Sequence, residues 1–152
     1  MNTIIAIFMF SLLFIIGIIG IVYTIKNNGK LNEIVSKEKL IEQYSNLKIS
    51  DTETLKMNYW NGNLKIYENI LIIENSTYFH HIILDKKSKN VKKQPMTISL
   101  EKITIEKNTL ILQGVKHRLL GNSNIKIRLK SNSEYEIVDI NKSINNLIVK
   151  NI

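Results

Sequence analysis

The chain has no cysteine, one proline, one tryptophan and no charged side chain before Lys26. Without cysteine there is no disulfide framework, no thiolate zinc site and no cysteine nucleophile, whatever the compartment. Catalytic signatures are missing as well: there is no Gly-rich phosphate loop, no H-E-x-x-H and no G-x-S-x-G. Near the N-terminus no Lys or Arg precedes the apolar run and no A-x-A-like site follows it, which argues against a cleaved signal peptide.

What is present divides into two materials. Of 152 residues, 44% are hydrophobic, and the whole net charge of +8 lies on residues 26–152. Residues 4–25, IIAIFMFSLLFIIGIIGIVYTI, would make about 33 Å of helix, against about 30 Å for a bilayer core. The expectation is an uncleaved single-pass transmembrane anchor. Lys26, Lys30, Lys37 and Lys39 follow the span and only the α-amino group precedes it. The positive-inside rule therefore expects the N-terminus outside and the remainder in the cytoplasm, at the cell membrane.

Beyond the anchor, Leu31, Ile34, Val35, Ile41, Tyr44 and Leu47 recur at helical spacing, which predicts an amphipathic juxtamembrane helix within residues 27–50. From residue 51 onward, short β-type runs alternate with turn residues. Leu55 to Trp60 and Leu64 to Tyr67 flank Asn61-Gly62, a hairpin signal. Further runs cover 70–73, 78–84, 97–100, the region of Thr104, 109–115 and 125–129, with a polar loop at 85–95. Ile125, Ile127 and Leu129 alternate with Lys126, Arg128 and Lys130, as in an antiparallel sheet with one solvated face. Ser131-x-x-Glu134 fits a capping box, and Ile137, Ile140, Ile144 and Leu147 then predict a C-terminal helix over 134–150. The expected fold class is α+β: a transmembrane helix (1–26), a short amphipathic helix (27–50), then a small antiparallel β-barrel or curved sheet with a C-terminal helix (51–152).

Two stretches carry a family resemblance. NGNLKIYENILIIE at 61–74 and ISLEKI at 98–103 resemble the opening strands and the I-P-L-x-x-I segment of bacterial PH-like and GRAM-type domains, with Ser99 where that segment has proline. The resemblance spans residues 48–152 and implies a PH-like barrel; many such domains are joined to transmembrane helices.

Chemistry is sparse. His80 and His81 are adjacent, so on a strand they face opposite ways and cannot share a metal. His117 sits between Lys116 and Arg118. No catalytic residue, metal ligand or cofactor is expected. Charge is the one feature above background: Lys86, Lys87, Lys89, Lys92 and Lys93 put +5 on residues 86–93, and Lys116 and Arg118 extend the basic set. Part of that excess follows from AT-rich coding, since lysine outnumbers arginine 19 to 2. Anionic lipid headgroups are one partner for such a face. Nucleic acid is not expected, because no aromatic residue interleaves the basic loop, and a solvated loop is the bland alternative. The sequence thus reads as a non-catalytic interaction module that binds a protein partner or the anionic membrane surface. The alternatives are an accessory subunit of a larger membrane complex and an extracytoplasmic β-domain.

Overall fold

The computed structural model describes residues 2–52, 59–75, 79–84, 97–118 and 121–150. They form two compact units, residues 1–37 and 38–152.

The first unit is one helix, α1 (Asn2–Ser36). Most of its described side chains up to Val22 are apolar and exposed, Phe8, Phe10 and Phe14 at 70% or more. Lys37 is tied to Glu33 one turn back, 2.8 Å away. Among the described residues no helix is long and apolar enough to cross a membrane. This corrects the expected transmembrane span, and with it the single-pass topology, the integral membrane partner and the cell-membrane placement with a cytoplasmic domain.

The second unit is a closed barrel of seven strands followed by a helix. The strands are β1 (Leu40–Asp51), β2 (Trp60–Tyr67), β3 (Ile70–Glu74), β4 (Phe79–Ile83), β5 (Thr97–Glu106), β6 (Thr109–Arg118) and β7 (Gly121–Lys130); the helix is α2 (Glu134–Lys150). Strand order follows the chain, and β1 closes on β7 from Lys48↔Lys130 to Asp51↔Ile127. Six of the seven pairings are antiparallel. The exception is β4 with β5, parallel over three residue pairs, His81↔Thr97 to Ile83↔Ser99. The sheet is therefore mixed, not wholly antiparallel as expected. A parallel pair needs a connection of about a dozen residues to bring the chain back to the same end, and residues 85–96 supply that length.

Alternation sorts the side chains. Leu47 and Ile49, Leu64 and Ile66, Leu71 and Ile73, Ile82, Ile98, Leu110 and Leu112, and Ile125, Ile127 and Leu129 point inward and form one core. α2 packs on the barrel beside β5 and β6, and its Ile137, Ile140, Ile144 and Leu147 join that core at 7% exposure or less. The helix begins where its periodicity predicts, but the cap is arranged differently. Ser133 N–H donates to Ser131 Oγ at 3.0 Å, and the Ser131 hydroxyl donates to Glu136, not Glu134. Tyr44 anchors α2 to β1: its hydroxyl lies 2.7 Å from Glu42 and 2.8 Å from Asp139. With one proton it donates to one carboxylate at a time, and burial, then these carboxylates, hold the phenol above its ordinary range.

Two local expectations are overturned. The amphipathic helix ends at Ser36, and residues 40–51 are a strand. β1 carries register shifts between Leu40 and Glu42 and between Tyr44 and Leu47, with Asn46 at φ 61°. Each bulge inserts a residue and shifts the alternation, so a bulged strand imitates helical spacing. Asn61-Gly62 is not a hairpin turn but lies within β2, opposite Lys48 and Leu47. Gly62 is needed there for space: a Cβ would stand 2.6 Å from Ile49 Cδ1 and 2.7 Å from the Glu74 carbonyl oxygen.

Candidate binding groove

The basic residues do not assemble as one described face. Lys86, Lys87, Lys89, Lys92 and Lys93 lie outside the described residues. Lys116 pairs with Ile98, an inward residue of β5, and is itself 7% exposed, so it belongs to the barrel interior. Arg118, at the end of β6, is exposed.

The histidines separate as strand geometry demands. His80 points inward and its Nε2 lies 2.9 Å from Asp51 Oδ2, both residues 4% exposed. This pair joins the last residue of β1 to β4, and nothing in the sequence marks it, since the partners are 29 positions apart. His81 faces the other way and is also buried. Burial lowers its basicity below the ordinary value, assisted by His80 and opposed by Glu74. On the outer face His117 Nδ1 lies 3.2 Å from Asn122 Oδ1 and Nε2 lies 2.8 Å from Ser99 Oγ. Because the amide oxygen only accepts, Nδ1 carries the proton and Nε2 accepts from the serine hydroxyl. The three residues lace β5, β6 and β7 together. Among the described residues no group of three His, Asp or Glu side chains is placed to hold a metal ion.

A cleft of about 190 Å³ lies beside β5, walled by Leu84, Leu100, Glu101, Lys102, Ile103 and, from α2, Asn145 and Ile148. It arises from a bulge. Leu100 pairs with Gly114 and Lys102 with Gln113, leaving Glu101 as the extra residue. Ile98 and Leu100 face inward before it; after it Ile103 packs against the core, and Ile105, on the same side of the strand, is left exposed, the two pairing with Leu112 and Leu110. The sequence does carry this signal, as a one-residue phase change between Ile98/Leu100 and Ile103/Ile105, but it reads there as one strand followed by a weaker run.

The same stretch is open along one side. β4 covers β5 only as far as Ser99, whereas β6 covers the opposite side out to Glu106. Among the described residues, no strand pairs with residues 100–106 on the β4 side. The turn at Lys107-Asn108, with Lys107 at φ 53°, is two residues long and makes Glu106 and Thr109 a hydrogen-bonded pair. Thr104 and Lys102 therefore direct their backbone groups to β6, and Ile103 and Ile105 direct theirs to the open side. The site is thus a cleft of mixed polar and apolar lining alongside a strand edge that, among the described residues, no strand pairs.

Compared with models of known families and with curated proteins, the chain matches none.

Proposed function

We propose that residues 38–152 are a non-catalytic protein-binding module, and that a partner protein docks by laying an extended segment along the open side of β5. The observation that carries this reading is the coincidence of a cleft of mixed polar and apolar lining with a β5 edge that, among the described residues, no strand pairs on the β4 side over residues 100–106. An exposed strand edge is a template for another chain. In strand addition the main-chain hydrogen bonds give affinity, and pockets for alternate side chains give specificity. Leu100, Ile103 and Ile148 supply such a pocket wall, and Glu101 and Lys102 supply a charged rim. The resemblance of residues 48–152 to PH-like domains belongs to the same reading.

The test uses a photo-crosslinking amino acid at Glu101 of the full chain in cells, compared with one at Tyr135, which is 81% exposed on α2. Partners should be captured at position 101 and not at 135. Ile105→Pro should abolish capture without unfolding the barrel, because the N–H it removes faces the open side and not the β6 ladder. Equal capture at both positions, or capture untouched by Ile105→Pro, overturns the proposal.

A further inference from the structure

Residues 102–106 read Lys-Ile-Thr-Ile-Glu. Reversed, the segment is its own complement: a charge of one sign at each end, isoleucine inside each, threonine at the centre. That pattern acquires meaning because these residues form the open side of β5. Resting on the reading that this edge is a docking site for protein, we infer that the partner is a second copy of this chain, paired antiparallel through β5 about a two-fold axis at Thr104.

Three independent properties select this register. The first is charge. Lys102 of one copy stands opposite Glu106 of the other and the reverse, two opposite-sign cross-strand pairs on the outer face, both side chains being exposed. A slip of two residues in either direction loses both pairs, and a slip of four sets Lys102 against Lys102 or Glu106 against Glu106. The second is the pleat. Ile103 meets Ile105 of the other copy on the cleft side, and Thr104 meets Thr104 on the outer face, so no side chain is turned to the wrong surface; a slip of one residue would turn them all. Ile105, at 39% exposure one of the few large apolar side chains left uncovered on the barrel, acquires a cover. The third is hydrogen bonding. Ile103 and Ile105 are the residues whose backbone groups face the open side, and this register places them opposite each other, so each of the two equivalent Ile103–Ile105 pairs exchanges both bonds. The interface is isologous, which is what a closed two-fold dimer requires. A contact of five residues is weak, so the expected product is a reversible dimer.

Cysteine chemistry tests the geometry directly, since the chain has none of its own. In a non-hydrogen-bonded antiparallel pair the two Cα atoms are about 4.5 Å apart, within disulfide range. The full chain carrying Thr104→Cys, in a mild detergent that covers the exposed side chains of α1, should form a disulfide-linked dimer on mild oxidation. Its yield should be several-fold above that of Tyr135→Cys, which reports random collision and any association through α1. Adding Lys102→Glu should lower the yield about tenfold, by replacing attraction with repulsion in two pairs. Adding Glu106→Lys as well should restore it, because the swap re-creates complementarity. A yield no higher than that of Tyr135→Cys, or a charge swap that fails to restore dimer, overturns self-pairing. If self-pairing fails while crosslinking at position 101 still captures another protein in a manner sensitive to Ile105→Pro, the edge remains a docking site with a different occupant. Failure of both overturns both.

Discussion

Gly114 is where the barrel leaves least room, and Gly114→Ala measures how closely β5 and β6 are held at the bulge. A Cβ there would stand 2.2 Å from the Ser99 carbonyl oxygen, 3.0 Å from its carbonyl carbon and 3.1 Å from Ile98 Cγ2. Carbon and oxygen come no closer than about 3.3 Å even in a weak C–H···O contact, so the strands must part by about 1 Å. The obstacle is backbone and cannot rotate aside. Overpacking of this kind costs about 1–3 kcal/mol. Parting the strands also sacrifices two or so ladder hydrogen bonds at about 1 kcal/mol each. The sum, about 3–5 kcal/mol, is a large share of the about 5–15 kcal/mol that holds an ordinary domain. At about 4 °C per kcal/mol for a unit of this size, the melting temperature should fall by about 12–20 °C. Trp60, the sole tryptophan, packs against the barrel core, so its fluorescence reports the melting of this unit. Gly121→Ala is the control: nothing lies within 4 Å, and only its φ of +102° opposes a side chain. Backbone strain alone should cost about 1–2 kcal/mol there, or about 4–8 °C. If Gly114→Ala melts no lower than Gly121→Ala, the close approach of Ser99 to Gly114 is not made as described, and neither is the bulge that shapes the cleft.

Two further outcomes follow from the buried polar groups. Asp51→Ala leaves His80 Nε2 without its acceptor at 4% exposure, and should destabilise the barrel by about 2–3 kcal/mol in denaturant titrations. The double change Asp51→Ala with His80→Leu should recover part of that loss, and a double variant no better than Asp51→Ala would show that the pair is not the cause. His81 has a folded-state basicity below its ordinary value of 6.5, so the unfolded chain takes up the proton first as acid is added. Stability should therefore decline as pH falls below about 6.5, and His81→Gln should flatten the decline between pH 7 and 5; an unchanged slope would rule His81 out as its source.

How much of this was legible beforehand depends on whether the chain keeps its period. β7 and α2 keep theirs without interruption: Ile125, Ile127 and Leu129 at spacing two, and Ile137, Ile140, Ile144 and Leu147 at helical spacing, are inward in the structure as the pattern requires. β1 and β5 do not, because each carries a bulge. In β1 the shift at 44–47 sets the inward Tyr44 and Leu47 three apart, and Ile41, three before Tyr44 but itself 42% exposed, completes a helical spacing, so a strand reads as a helix. Asn61-Gly62 misleads for another reason. The pair suits a tight turn, but here the glycine is required by the approach of Ile49 and the Glu74 carbonyl, neither of which is local in sequence. The apolar run of α1 reads as a helix correctly, whereas its reach across a bilayer is not supported by the described residues. As for the site, the basic residues attract attention because charge is visible in composition, yet Lys116 is interior. The open side of β5 is invisible because it depends on where β4 stops, which is a property of pairing and not of any residue in the edge itself.

The closure of β1 on β7 also fixes the order of events when the protein is made. Lys48 and Lys130 are partners 82 positions apart, and joining ends so distant costs about 4 kcal/mol of loop entropy on simple polymer scaling. Strands β6 and β7, by contrast, pair from Arg118↔Gly121 onward, partners three positions apart. A ribosome adding about 5–20 residues per second therefore leaves β1 without its second neighbour for about 4–16 s after it emerges. The earliest strand of the barrel must wait for the latest, and until then it is the segment most in need of protection from other nascent chains.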